Sequence, residues 1–188
     1  MMRILAFGDS LTAGFGLAPG QSFADQLERA LLDLDWDVRV TNGGISGDTT
    51  FGGLARIDFF LREQPHLVIL ELGANDGLIG HDPERIRENL AAMIEKSRDA
   101  GARVLLCGAS LPLGSGTDFT ARFEGIFTEL AATYELQLFP DFLRGVAGEP
   151  ELTLFDRFHP NERGIQAIVQ RILPFVQELM RRISPNRA

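Results

Sequence analysis

Short apolar runs that alternate with amphipathic helical patterns predict an α/β protein, a parallel sheet with helices on both faces. Three observations carry this reading. Five runs have the length and composition of strands: Arg3 to Phe7, Val38 to Thr41, Leu67 to Leu72, Val104 to Cys107 and Leu136 to Phe139. The middle runs are almost continuously apolar, as befits parallel strands covered on both sides. Segments of helical periodicity lie between the runs, and no internal repeat or linker-like stretch interrupts them. The 188 residues are therefore expected to form one domain, residues 1–188.

The helical segments are read from their stripes. Phe23, Leu27, Leu31 and Leu34 form the first, and Leu54, Ile57, Phe60 and Leu61 the second. Ile86, Leu90, Met93 and Ile94 form a third, opened by Asp82-Pro83-Glu84: a cap, a first-turn proline and a favourable acidic charge. Phe123, Phe127 and Leu130 mark a fourth. Ile165, Ile168, Val169, Ile172, Val176 and Leu179 form the last, with Pro174 expected to kink it. These stripes read as core. Ser110 to Asp118 and Gly73 to Asp82 read as long functional loops at the carboxyl edge of the sheet, where open α/β folds bind ligands.

Composition narrows the function. Eighteen basic residues against 26 acidic ones give a net charge of −8, which argues against nucleic acid or an anionic membrane as the main partner. Cys107 is the one cysteine; within Val104-Leu105-Leu106-Cys107 it reads as an inert buried thiol. The spacing of a four-ligand zinc site is missing. No run approaches the ~20 apolar residues that span a bilayer. The first strand begins almost at Met1, so the expectation is a cytoplasmic protein, or a periplasmic or secreted one whose export signal has been removed.

Chemistry concentrates at the strand ends. The first run breaks abruptly into Gly8-Asp9-Ser10-Leu11-Thr12-Ala13-Gly14, which delivers a hydroxyl to the edge of the sheet. A serine in such a turn is also an ordinary cap residue, and its hydroxyl is a weak nucleophile until a base takes its proton. Three histidines could serve. His66 precedes the third strand, at the wrong edge. His81 lies in a loop that could reach the active edge. His159 follows Asp156 by three residues, a spacing that can place a carboxylate on one ring nitrogen and leave the other facing Ser10. His159 also reads as a surface residue capping the last helix. Donors for an oxyanion are offered by the Ser10 N–H, by Gly47 after the second strand and by the side-chain amide of Asn75 after the third. Each also reads as turn chemistry. Asp9, Asp48 and Asp76 read as acceptors that shape their turns, with Asp76 a rival to Asp156 for orienting a histidine.

Four blocks in order, Gly8 to Gly14, Ile45 to Thr50, Glu71 to Gly77 and Asp156 to Asn161, resemble the GDSL or SGNH hydrolases, closest to their bacterial thioesterase I/protease I/lysophospholipase L1 and arylesterase branch. The resemblance runs through nearly the whole chain. It implies a three-layer α/β/α sandwich with a flavodoxin-like sheet. It also implies Ser10 as nucleophile, Asp156 and His159 as its partners, and Ser10, Gly47 and Asn75 as oxyanion donors. No cofactor or metal is expected, and the substrate is expected to be a small acyl ester or thioester such as an aryl ester, acyl-CoA or lysophospholipid. Two positions depart from the family pattern: Ala74 replaces a glycine beside Asn75, and Arg157 stands where close relatives often carry glycine. Arg157 could lower the histidine's pKa, greet an anionic leaving group or simply be solvated.

Two rival functions fit the same fold class. One is acyl transfer to an alcohol or sugar, or carbohydrate O-acetyl ester hydrolysis. The other is a non-catalytic flavodoxin-like nucleotide module, disfavoured because neither a Walker lysine pattern nor a G-x-G-x-x-G follows the first strand. The commoner G-x-S-x-G elbow is missing throughout the chain.

Overall fold

A computed structural model describes residues 1–111 and 116–184. All five sequence-predicted strands form: β1 (Met2–Gly8), β2 (Val38–Gly44), β3 (Leu67–Glu71), β4 (Arg103–Cys107) and β5 (Gln137–Phe139). They make one parallel sheet in the order β2-β1-β3-β4-β5. The helices are α1 (Ser10–Ala13), α2 (Phe23–Leu32), α3 (Thr50–Leu61), α4 (Ala74–Ile79), α5 (Pro83–Asp99), α6 (Thr117–Thr133) and α7 (Glu162–Ile183).

Strand periodicity splits the core into two layers. Ile4, Ala6, Leu67, Ile69, Leu105 and Cys107 face one side, where α2 and α7 supply Phe23, Leu27, Ile165, Ile168 and Ile172. Leu5, Phe7, Val68, Leu70, Val104 and Leu106 face the other, against Ile57 of α3, Leu90 and Met93 of α5 and Phe123 and Phe127 of α6. The result is the three-layer α/β/α sandwich. Cys107 is buried, and burial pushes its thiol well above the ordinary value, so it is an inert core residue.

The helix α7 continues unbroken across Pro174. Its stripe of Ile165, Ile168, Val169, Ile172, Val176 and Leu179 is buried throughout. At roughly 1.5–3 kcal/mol for each buried aliphatic side chain, the stripe outweighs the ~3 kcal/mol that a proline costs inside a helix. Leu34 departs from expectation: α2 ends at Leu32, and Leu34 lies in the following turn, where it is exposed. The stretch from Gly73 to Asp82 is no plain loop, since it contains α4. Asn-Asp-Gly has turn composition, but Gly73 at φ 118 turns the chain directly into a short helix. Of the stretch from Ser110 to Asp118, residues 112–115 lie outside the described residues.

Two glycines set the position of α1. A Cβ on Gly8 would lie 2.2 Å from Thr12 Oγ1, and one on Gly44 would lie 2.2 Å from Ala13 N. Only bare backbone lets α1 press against the ends of β1 and β2. Strand order reverses between β1 and β3, so α1 begins at the topological switch point, where ligands bind in this architecture.

Candidate active site

Ser10 is the first residue of α1. Asp9 caps that helix, its Oδ1 accepting the Leu11 N–H at 3.0 Å. The Ser10 Oγ lies 3.0 Å from His159 Nε2, across 149 residues of chain. On the other side of the ring, His159 Nδ1 lies 2.5 Å from Asp156 Oδ2. Asp156 also stabilises its own turn, with Oδ1 accepting the N–H groups of Phe158 and His159, each at 3.0 Å. Burial pushes the Asp156 carboxyl up, but the His159 hydrogen bond and the two N–H groups outweigh it, and the group ionises below its ordinary value. An ionised Asp156 fixes the tautomer with the proton on Nδ1, leaving Nε2 to accept from Ser10.

The loop that carries these two residues is closed by a bridge between Thr153 and Pro160 and by the Leu154 N–H donating to the His159 carbonyl at 2.8 Å. Within it Arg157 has φ 60, in the left-handed region that favours glycine. A glycine would adopt that backbone without strain, in keeping with the glycine that the family pattern leads one to expect here. Asn161 caps α7, its Oδ1 accepting from Gly164 N at 3.0 Å.

The three expected oxyanion donors are arranged unequally. Among the described residues, the N–H groups of Ser10 and Gly47 donate to no protein acceptor. The Asn75 amide is engaged: Nδ2 donates to Asp48 O at 2.8 Å and to Asp9 Oδ2 at 3.1 Å. An oxyanion would have to share one of those N–H groups. Gly47 has φ 78, and a Cβ there would meet nothing within 4 Å. Its requirement for glycine is therefore backbone conformation rather than crowding by neighbouring atoms.

A buried carboxylate that composition does not announce supports α1 through Thr12. Glu71, at the end of β3, is buried, and its Oε2 accepts the Thr12 hydroxyl at 2.8 Å. Burial, reinforced by the charge of Asp9, holds its carboxyl well above the ordinary value. Asp9 is itself pushed up to about 6, chiefly by burial against the opposing pull of the Leu11 N–H and His159.

The other acidic residues fall into place. Asp76 does orient a histidine, but it is His81 and not His159: His81 Nδ1 lies 3.2 Å from Asp76 Oδ1. Asp76 also accepts the N–H and hydroxyl of Thr50, at 2.8 and 2.7 Å, which ties α4 to the start of α3. His66 lies at the amino end of the sheet, where its Nδ1 accepts the Arg3 N–H at 2.9 Å. Asp48 does more than shape its turn, because Arg56 Nε donates to its Oδ2 at 2.7 Å. Arg56 was not a candidate on sequence. A lone cation inside the apolar stripe from Leu54 to Leu61 is the signal that marks it. Phe15 packs on His159, with ring centroids 4.6 Å apart, and Phe155 beside Asp156 is fully exposed, so the rim is aromatic.

The model of the GDSL-like Lipase/Acylhydrolase family matches residues 6–167. Esterase TesA of Pseudomonas aeruginosa is 39% identical over 178 residues, covering 94% of this chain and 89% of that protein. The thioesterase 1/protease 1/lysophospholipase L1 of Escherichia coli K12 is 35% identical over 161 residues, 84% of this chain and 75% of that one. A crystal structure of TesA superposes with a TM-score of 0.90 at 38% identity, covering 95% of this chain and 99% of that chain.

Proposed function

The chain belongs to the GDSL-like lipase/acylhydrolase family, a family of serine hydrolases, and from that premise we propose that it cleaves carboxylic esters and thioesters through an acyl-enzyme on Ser10. The observation that carries the proposal is the continuous chain of contacts from Ser10 Oγ to His159 Nε2 at 3.0 Å and from His159 Nδ1 to Asp156 Oδ2 at 2.5 Å.

In this reading His159 Nε2 takes the hydroxyl proton as Ser10 Oγ attacks the acyl carbon. Asp156 stabilises the imidazolium that results. The Ser10 and Gly47 N–H groups and the Asn75 amide receive the oxyanion of the tetrahedral intermediate. His159 then returns the proton to the departing alcohol or thiol, leaving the acyl group on Ser10. Water deprotonated by His159 attacks that ester, and a second collapse frees the acid and the serine. The aromatic rim of Phe15 and Phe155 suits an apolar acyl or aryl group. Among the described residues no helix is long and apolar enough to cross a membrane.

Hydrolysis of p-nitrophenyl esters of graded acyl length, with wild type beside Ser10→Ala, tests the proposal. Wild type is expected to turn over, and Ser10→Ala to lose activity by more than about 10⁴-fold while keeping the wild-type melting temperature. Substantial turnover by a folded Ser10→Ala would overturn it.

A further inference from the structure

Two of the three segments that carry the expected oxyanion donors are held by a single guanidinium, and the third is joined to it through Asp48. Arg56 lies in the second turn of α3, and its side chain is 16% exposed. Its Nη2 donates to the Gly8 carbonyl at 2.9 Å, two residues before Ser10. Its Nη1 donates to the Gly43 carbonyl at 2.6 Å, near the end of β2. Its Nε donates to Asp48 Oδ2 at 2.7 Å, and Asp48 in turn follows Gly47 and offers its own carbonyl to Asn75 Nδ2 at 2.8 Å. The guanidinium carbon stands 4.1 Å from the centroid of the Phe7 ring, which limits its freedom further.

From this arrangement we propose that Arg56 is a positioning residue of the oxyanion hole, holding the Ser10, Gly47 and Asn75 donors in register without touching substrate. The proposal rests on the reading of Ser10 as nucleophile. The turn from Ile45 to Asp48 shows why a clamp is needed. Ile45 is half exposed, Gly47 has no side chain to pack, and one backbone bond, Asp48 N to Ile45 O at 3.1 Å, closes the turn. The Ile45 N–H donating to the Gly8 carbonyl at 3.1 Å holds the start of the turn to β1, and the Asp48 carboxylate pinned by Arg56 holds its far end, next to Gly47. A guanidinium reaches three acceptors in one plane, whereas a lysine ammonium is a point charge on a flexible stem and cannot hold the same three. Its Asp48 partner compensates the charge, so burial of the group is sustainable. An apolar residue could fill the space but would leave the Gly8 and Gly43 carbonyls and the Asp48 carboxylate without this donor.

The test measures kcat, KM and thermal unfolding for wild type, Ser10→Ala, Arg56→Lys, Arg56→Ala, Asn75→Ala and the Arg56→Lys/Asn75→Ala double variant on a p-nitrophenyl ester. Arg56→Lys is expected to lower kcat about ten- to a hundredfold, as a misplacement of the reacting geometry does, with KM within about threefold of wild type. Methylguanidinium at millimolar concentration is expected to restore part of the kcat lost in Arg56→Ala. The double variant is expected to lose less than the product of the two single losses, because both act on one hole. Should Arg56→Ala fail to fold, Arg56→Lys and Asp48→Asn carry the same comparison. A folded Arg56→Lys with kcat within about twofold of wild type, or losses that multiply fully in the double variant, would overturn the role. The two levels separate cleanly. An inactive wild type or an active Ser10→Ala overturns the reaction, and with it this role. Unaltered Arg56 variants beside an inactive Ser10→Ala overturn the role alone.

Discussion

Asn75→Ala removes an amide that ties the resting site together and is proposed to meet the transition-state charge, so it has two separable consequences. At rest Asn75 donates to Asp48 O at 2.8 Å and to Asp9 Oδ2 at 3.1 Å. Asp9 is 1% exposed. Stripping a donor from so buried an acceptor costs about 1–3 kcal/mol, and that loss belongs to folding. In the transition state one of three donors disappears, which costs on the order of 10²–10³ in kcat, or about 3–4 kcal/mol. That loss belongs to chemistry, because a neutral ground-state carbonyl demands less of the donor, so KM is expected to change little. Steady-state kinetics on a p-nitrophenyl ester at pH 7, together with urea unfolding of the same protein, read the two quantities apart. A folded variant with kcat within about threefold of wild type would refute the assignment of Asn75 as an oxyanion donor. A rise in KM at unchanged kcat would do so as well, since it marks ground-state binding alone.

Two further outcomes follow from the same geometry. Asp156 is 42% exposed, so its pull on the imidazolium acts through a partly aqueous medium. At a separation of about 4 Å such a charge is worth roughly 1–4 kcal/mol, and Asp156→Asn is expected to lower kcat/KM by about 10- to 10³-fold, less than Ser10→Ala does; an equal loss would contradict this account. Asp9, raised from 3.8 to about 6 by burial, holds its proton more tightly in the folded chain than in the unfolded one. Its contribution to stability is therefore full below pH about 4 and is lost as pH rises to about 6, at ~1.4 kcal/mol per pH unit and roughly 3 kcal/mol in all. Urea unfolding of wild type and Asp9→Asn across pH 3 to 8 is expected to show the difference moving in favour of the variant through that window and flat above it. A pH-independent difference would refute the assignment.

Much of the fold is legible in the chain because it depends on near neighbours. The alternation Ile4, Leu5, Ala6, Phe7 divides its side chains between two core layers, and the α7 stripe from Ile165 to Leu179 is buried as its period requires. The short Asp156–His159 spacing determines its own hydrogen bonds, since both residues share one turn. Contacts between distant segments are legible only where the four blocks name both partners. The facing of Ser10 by His159 is expected from the four blocks together, whereas the preference of Asp76 for His81 depends on α4, whose sequence has the composition of a turn. The engagement of Asn75 by Asp9 and Asp48, the Glu71–Thr12 pair and the three-point grip of Arg56 arise only when three strand ends converge. Periodicity and capping act over a few residues and can be read in order along the chain. A hydrogen bond across the sheet is decided by strand order and close approach, and those exist only once the two core layers have packed.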